Sequence, residues 1–264
     1  PAIAIIVSSS FDARQQAESR ALDEIGNLTM SLAALQQGVL HQAQGVLAAL
    51  AHTDAAGSRD LPELNRVFAS LLDDHPELSN IFLTDAAGRV VASGLPAFLG
   101  VDLSDRKYFQ ETVATGTFSV SGFIHGRATR KPILAFSMPD KDAAGRFLGV
   151  IGLSYYLDGY ERFLNRIELP PKTRITFIDP DGKRMVAYPL DERFPLGVAL
   201  VPRLWKLLGR EPGDEGTFLA PRFTGGDGLF SFARLRLAPE RPPYMTILVS
   251  AACDDVFQNA DRQL

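Results

Sequence analysis

Two stretches of this chain carry the same ordered series of strand, turn and helix signals. The apolar run Asn80–Thr84 is followed by the turn DAAGR, and the apolar run Arg174–Ile178 is followed by the turn DPDGK. In such turns aspartate folds back on its own backbone and glycine supplies a positive φ. The two turn aspartates, Asp85 and Asp179, lie 94 positions apart. A recurrence at this spacing predicts two copies of one structural unit.

The correspondence continues through the rest of both stretches. The helical segments 108–114 and 201–208 are each followed by a Gly-Thr-Phe sequence, and the apolar runs 150–153 and 245–249 follow in the same order. We therefore predict an α+β fold with two tandem modules. Each module is expected to be a central antiparallel sheet flanked by helices, with a hairpin, a helical crossover and then three more strands.

The first part of the chain predicts a long helix. No proline occurs between the first residue and Pro62, and apolar side chains recur there on a seven-residue series that is interrupted at Glu18. The members of this series are Phe11, Ile25, Leu32, Val39 and Val46. A heptad series of this kind is typical of helices that pair along a seam. The pattern predicts a spine helix over residues 8–60 and favours a parallel homodimer.

Both ends of the chain suggest a connection to a membrane. The first seven residues, PAIAIIV, are small or apolar throughout, and residues 253–264 resemble the start of a second helix. One interpretation is a frayed start of no significance. The other, which we favour, is that residues 1–7 are the end of a truncated transmembrane helix and that residues 253–264 form an exit helix toward a second transmembrane span.

Charge and motifs exclude several classes of protein. The chain has 27 basic and 31 acidic side chains, a net charge of −4 and no basic block, so we expect no nucleic-acid partner. The four histidines lack metal-ligand spacing, and Cys253 is the only cysteine, which excludes a cysteine-based zinc site. No G-x-S-x-G sequence nominates a nucleophile. We therefore predict no catalytic residue, no metal and no cofactor.

Two segments in the first module resemble those of a known family. LSDRKYF at Leu103–Phe109 is similar to the D-R-x-Y-F segment at the pocket edge of double Cache sensor domains. The stretch Arg130–Ser154 is similar to the strand–P-x-x-D-x-x-G–strand segment that closes the same module. With the long first helix and two PAS-like modules, the chain resembles the double Cache family, the extracytoplasmic ligand-binding domains of bacterial transmembrane receptors.

The resemblance implies a role in signal transduction. The chain would be the periplasm-facing part of an inner-membrane histidine kinase, diguanylate cyclase or chemoreceptor. Residues 61–170 would form the membrane-distal module, which binds the ligand, and residues 171–252 the membrane-proximal module. The proximal module has no D-R-x-Y-F counterpart, because its nearest analogue, LDERFPLG at Leu190–Gly197, lacks the pattern. We therefore expect the proximal module to hold no ligand.

The resemblance also implies which residues hold the ligand. Arg106 and Tyr108 would lie above it, with Lys131 as a second cation and Ser119 and Ser121 as further donors. The chemistry agrees, because a guanidinium pairs both oxygens of a carboxylate and each charged hydrogen bond contributes about 1.5–3 kcal/mol.

One departure from the family pattern bears on the ligand. Relatives that bind amino acids carry an aspartate where this chain has Ser154, so an ammonium group would lack its anionic partner. We therefore expect a small mono- or dicarboxylate first and an amino acid second. Tyr155 and Asp158 are candidates to take over that role.

Each candidate also has a purely structural interpretation. Arg106 could form a local ion pair with Asp105, and Lys131 could be a solvated edge-strand lysine. Tyr155 could be an ordinary core residue, and Asp158 could only cap the following helix. Two other functions stay open: an enzyme or carrier acting on a small carboxylate, and a ligand-free structural or interaction domain.

Overall fold

The computed structural model describes residues 2–166, 169, 173–221 and 226–253. These residues divide into two compact units. The first unit is Gln37–Arg162, and the second unit combines Pro1–Gln36 with Phe163–Leu264. Most of the predicted exit helix, residues 254–264, lies outside the described residues.

The chain begins with one long helix, α1, at Ala2–Ala51, which is followed by a short helix, α2, at Asp54–Ser58. The predicted spine over residues 8–60 thus begins earlier and is interrupted after Ala51. Residues 2–7, predicted to end a transmembrane helix, are the first turns of α1. In the described part of the chain, we find no helix with both the length and the apolar character that a membrane span requires.

The third helix, α3, lies at Leu61–Asp74 as the sequence predicts. It begins there because the Asp60 carboxylate accepts a hydrogen bond from the Glu63 backbone N–H at 3.1 Å and thereby satisfies a donor that the helix cannot. Leu64 and Phe68, one turn apart, are its buried residues.

An antiparallel sheet forms the centre of the first unit. Its strands are β1 (Leu78–Thr84), β2 (Val90–Ser93), β3 (Ser119–Val120), β4 (Ile124–His125), β5 (Pro132–Lys141) and β6 (Phe147–Tyr156). The strand order is β2-β1-β6-β5-β3, and β4 also pairs with β5. A 3₁₀ turn at Pro96–Phe98 and the helix α4 at Lys107–Thr115 lie between β2 and β3 in the chain, and α5 at Asp158–Leu164 follows β6.

The second unit contains the same arrangement. Its strands are β7 (Arg174–Ile178), β8 (Arg184–Tyr188), β9 (Glu215–Pro221), β10 (Asp227–Leu235) and β11 (Met245–Ala252), with α6 at Pro202–Leu208. The strand order is β8-β7-β11-β10-β9, so in both sheets the last strand lies beside the first. The predicted α+β fold with two tandem antiparallel modules is confirmed.

The turn chemistry that revealed the repeat is formed in both copies. Asp85 Oδ1 accepts hydrogen bonds from the backbone N–H groups two and four residues on, at 3.0 and 2.9 Å. Asp179 Oδ1 does the same at 3.0 and 2.8 Å. Gly88 and Gly182 follow with φ of +89° and +79°, a backbone region that favours glycine.

The apolar series on α1 serves the core of the chain. Ile25 and Leu32 are buried, whereas Val39 and Val46 are half-buried. The helix α1 is divided between the two compact units, with Pro1–Gln36 in the second unit and the rest in the first. The predicted modules, residues 61–170 and 171–252, contained no part of α1. The heptad pattern could not distinguish this outcome from pairing between two copies, because both require the same apolar stripe.

Candidate functional site

A cavity lies on one face of the sheet in the first unit. Asn80, Ser154 and Ala135 form its floor on three adjacent strands, because Asn80 pairs with Ser154 and Ser154 pairs with Ala135. Side chains alternate along a strand, so these three point to the same side. Phe98 and Leu103 contribute to the opposite wall. The cavity therefore lies between the sheet and the LSDRKYF segment singled out in the sequence.

Arg106 and Tyr108 both line this cavity. Arg106 is the last extended residue before α4, and its Nη2 donates to the His125 carbonyl oxygen at 3.2 Å. Tyr108 is 4% exposed, and its ring centre lies 6.4 Å from that of Phe82. Burial raises the pKa of Tyr108 well above its usual range, although Arg106 and Arg127 oppose the shift. The hydroxyl thus stays protonated and is a hydrogen-bond donor.

A second arginine lines the cavity, Arg127, which the sequence analysis did not select. It lies in the loop between β4 and β5, and its guanidinium donates to Asp105 Oδ2 at 2.5 Å and to the Asp102 carbonyl oxygen. Asp105 is therefore paired with Arg127, and within the described residues Arg106 forms no ion pair with it. The local ion pair considered for Arg106 is not formed.

Asn80 places a buried donor at the floor of the cavity. Its Oδ1 accepts hydrogen bonds from the Ile81 backbone N–H at 2.9 Å and from Ser93 Oγ at 3.0 Å, and this fixes the orientation of the amide. Its Nδ2 is buried and has no hydrogen-bond partner among the described residues. A buried donor without a partner costs about 1–3 kcal/mol, so a bound acceptor at this point would be favoured.

The polar lining of the cavity favours an anion. Its members are Ser79, Asn80, Arg106, Tyr108, His125, Arg127, Thr129 and Ser154. Two of them are arginines and, within the described part of the chain, none is an aspartate or glutamate. Guanidinium, amide and hydroxyl donors with an apolar wall can hold a carboxylate and exclude water from its apolar part.

The two serines expected to donate to a ligand lie away from the cavity. The Ser121 hydroxyl donates to the Gly122 carbonyl oxygen and accepts from the Ala135 N–H, both at 2.9 Å, so it belongs to the sheet hydrogen bonding. Ser119 is buried on β3, and its Oγ has no partner among the described residues. Neither residue lines the cavity.

The remaining three candidates also lie outside it. Lys131 is exposed, with its Nζ 5.0 Å from the ring centre of Tyr156. Tyr155 follows Ser154 on β6 and therefore points to the other sheet face, where its ring packs against Phe136 at 5.8 Å. Asp158 is exposed and pairs with Arg162 one turn later at 3.2 Å. Tyr155 thus packs beside a core residue, as its structural interpretation allowed. Lys131 is solvated but precedes β5, which is not an edge strand, and Asp158 is the first residue of α5, where it forms an ion pair.

Among the lining residues that sequence reasoning missed, Asn80 and Arg127 were missed for different reasons. Asn80 is a polar residue inside an otherwise apolar strand, which is a signal that could have been used. Arg127 has no comparable local signal, because only the tertiary path of its loop brings it to the cavity.

The comparisons with known proteins agree with this fold. A family model described as a Cache domain matches residues 12–260. The ligand-binding domain of the Pseudomonas fluorescens chemoreceptor CtaA, in complex with L-isoleucine, has a TM-score of 0.68 at 17% identity, covering 93% of this chain and 98% of that one. The corresponding domain of the Pseudomonas aeruginosa PAO1 amino acid chemoreceptor PctC, in complex with GABA, has a TM-score of 0.58 at 19% identity, covering 88% and 99%.

A curated relative adds a kinase to this set. Sporulation kinase D of Bacillus subtilis (strain 168) is 24% identical over 128 residues. The matched segment covers 48% of this chain and 25% of that kinase. This chain thus corresponds to about a quarter of the length of the curated relative that it matches.

Proposed function

This chain belongs to the Cache domain family, and on that premise we propose that it senses a small organic acid for a bacterial membrane receptor. The ligand would bind in the cavity of the first unit. One observation carries the proposal: the cavity combines the guanidinium groups of Arg106 and Arg127 with Asn80 Nδ2, which has no partner among the described residues, and no described lining residue is acidic.

The same lining distinguishes an organic acid from an amino acid. The solved relatives CtaA and PctC hold isoleucine and GABA, and both ligands carry an ammonium group beside their carboxylate. In this chain the floor position is Ser154, whose Oγ lies 3.5 Å from the Asn80 carbonyl oxygen. A hydroxyl is a far weaker partner for an ammonium group than a carboxylate is. A ligand without the ammonium group therefore fits this cavity better.

The location and output follow from the same proposal. The domain would face the periplasm and be anchored in the inner membrane by flanking spans, with a kinase, cyclase or chemotaxis output beyond them. Ligand binding would draw Arg106, Tyr108 and the segment that carries them toward the sheet. The ligand can bias such a receptor only as far as its affinity differs between the two signalling states.

We propose the homodimer with a smaller pairing surface on α1 than the heptad series predicted. Ile25 and Leu32 of the heptad series are buried within the chain, so among the described members of the series only the half-buried Val39 and Val46 are available to a second copy. We expect light scattering to show a concentration-dependent dimer that Val39→Glu weakens. A strictly monomeric domain at high concentration would argue against pairing through this series.

A binding screen tests the ligand assignment. We expect small mono- and dicarboxylates to raise the melting temperature of the purified domain, whereas their uncharged amides do not. Calorimetry of any acid that binds should show affinity at least tenfold weaker in Arg106→Met, since one charged hydrogen bond contributes about 1.5–3 kcal/mol.

The matched control is Arg66→Met, which removes an exposed arginine that pairs with Glu63 on α3, away from the cavity. An acid that binds both variants equally would contradict the assignment. Stabilisation by amino acids alone would reverse the order of ligands, and chemical turnover of a bound acid would favour an enzyme.

A further inference from the structure

The second unit has a cavity of its own on one face of its sheet. Arg174, Thr176, Phe230 and Ser250 lie on its sheet side. Phe194, in the loop after β8, contributes to the other side together with the start of α6. The segment LDERFPLG, which showed no binding pattern in the sequence, thus supplies part of a cavity wall.

This cavity has the same position in its module as the cavity of the first unit. Arg174 pairs with Ser250, and Ser250 pairs with Phe230, just as Asn80 pairs with Ser154 and Ser154 with Ala135. The repeated fold therefore presents the same sheet face twice. What differs is the side chain at each position, with Arg174 standing where the first unit has Asn80.

Arg184 is the unusual residue of this cavity. Its residue surface is 5% exposed, yet the described residues offer it no carboxylate partner. Its Nη1 donates to the Ala199 carbonyl oxygen at 2.9 Å, and its guanidinium lies 5.2 Å from the Phe194 ring centre. No described residue accepts a hydrogen bond from its Nε or Nη2. A buried charge without a counter-ion is costly, and an anion in the cavity would remove that cost.

The other charged group at the cavity is already partly neutralised. Arg174 Nη2 lies 3.3 Å from Asp191 Oδ2, and the same carboxylate oxygen lies 2.7 Å from Arg193 Nη2. Arg184 is thus the cation that a ligand would neutralise. The apolar wall of Phe230, Leu248, Leu200 and Leu204 would contact whatever is attached to the anionic group.

We propose that this cavity is a second ligand site, which binds a small monocarboxylate carrying a short apolar chain. The carboxylate would pair with Arg184, and the chain would lie against Phe230 and Leu248. The inference goes beyond the proposed function, which concerns the first cavity, and it opposes the expectation that this module holds no ligand.

Methyl NMR on the whole chain tests this inference with butanoate as the probe. Methyl groups of Leu200, Leu204 and Leu248 report on the second cavity, and those of Leu103 and Ile133 report independently on the first. We expect butanoate to shift the methyl signals of Leu200, Leu204 and Leu248, whereas 1-butanol and butylammonium do not. In Arg184→Met the apparent dissociation constant should rise about tenfold or more, because the charged hydrogen bonds are lost.

The control variant is Arg203→Met, which changes an exposed arginine on α6 and should leave the titration unchanged. If Arg184→Met does not fold, the comparison of butanoate with 1-butanol on the unmodified chain still decides the result. The inference is wrong if butanoate leaves these leucines unshifted at tens of millimolar, if 1-butanol shifts them equally, or if Arg184→Met binds as the unmodified chain does. A response of Leu103 and Ile133 alone would support the proposed function and contradict this inference.

Discussion

At the scale of single residues, we expect the Asn80 amide to influence which charge the first cavity accepts. We expect Asn80→Asp to keep both hydrogen bonds to its Oδ1 while replacing the free donor by a negative charge. Carboxylate binding should fall at least tenfold, or about 1.4 kcal/mol, and primary ammonium ligands should gain affinity. Calorimetry with one acid and the matching amine measures both changes.

Asn65→Asp is the matched control, since Asn65 Oδ1 also accepts a backbone N–H, from Ser93 at 2.7 Å, but the residue does not line the cavity. We expect it to leave acid binding unchanged. Equal losses in the two variants would show that the effect is general electrostatics and would contradict a specific role for Asn80.

A second prediction at this scale concerns the buried Asp140, which pairs with Arg59 at 2.9 Å. Burial raises the pKa of Asp140, and the nearby Arg59 opposes this. Between the ordinary value of 3.8 and the raised one, the folded chain holds a proton that the unfolded chain has released. The free energy of unfolding relative to Asp140→Asn should therefore fall as pH rises through this interval.

Asp142 provides the control of opposite sign. Hydrogen bonds from Arg146 lower the pKa of Asp142, so its contribution is present above pH 3.8 and is lost as pH falls toward its lower folded value. Thermal melts of Asp140→Asn and Asp142→Asn across the acid range should show opposite slopes relative to the unmodified chain. Parallel slopes would contradict the assignment for Asp140.

The residues of the first cavity differ in how far they could be predicted from the sequence. Arg106 and Tyr108 were predictable because they belong to a local motif, and both line the cavity. Lys131 was chosen for its charge at a strand start, but solvent can hydrate a lysine there at no cost. Arg127 was not predictable, since nothing local separates it from the other arginines of the chain. Arg127 lines the cavity because of the tertiary path of its loop, which the composition of the chain does not reveal.

At the scale of elements, β6 depends on a glycine where it passes the bulge in β1. A Cβ at Gly149 would meet the Thr84 carbonyl oxygen at 2.0 Å, and a backbone atom cannot move aside as a side chain does. We expect Gly149→Ala to lower the free energy of unfolding by about 3 kcal/mol. Chemical denaturation of the purified chain measures this loss.

The comparison for that prediction is a glycine with free space around it. Gly45 lies on the exposed side of α1, and a Cβ there meets nothing within 4 Å. Gly45→Ala should raise stability by about 1 kcal/mol, because alanine favours the helix. A neutral Gly149→Ala would contradict the close approach of β6 to the Thr84 carbonyl group of β1.

Some secondary-structure elements could be predicted from the sequence, whereas the role of α1 could not. The strands β1 and β7 and the turns after them were recognisable, because aspartate and glycine at fixed offsets specify that backbone locally. The role of the apolar stripe on α1 was not, because burial in the same chain and pairing with a second copy use the same pattern. Ile25 and Leu32 are satisfied within the chain.

At the scale of the whole molecule, duplication gives two cavities at one position in the fold with different linings. In the first unit Asn80 Nδ2 lies at the floor without a partner among the described residues, and in the second unit the buried Arg184 lines the cavity. Because the strand order is the same in both, the difference between the two linings depends on a few side chains. The architecture was therefore predictable from the repeat, whereas the second cavity required its tertiary contacts.

The division of α1 makes the two units unequal when they are separated. The first unit is one continuous segment with its own core, which includes Leu40, Leu47, Leu64 and Phe68. We expect a fragment of residues 37–166, which completes α5, to fold alone and to bind acids as the whole chain does. Circular dichroism, thermal melting and calorimetry of the fragment check this.

The complementary fragment, residues 163–264, lacks the α1 residues that belong to its unit, among them the buried Ile25 and Leu32. Losing two such side chains removes about 3–6 kcal/mol of hydrophobic burial, a large part of the stability of a domain. We expect this fragment to lack a cooperative melt, and Leu32→Ala in the whole chain to be destabilising by about 2–5 kcal/mol. A cooperative melt of residues 163–264 would show that this module does not need α1 for its core.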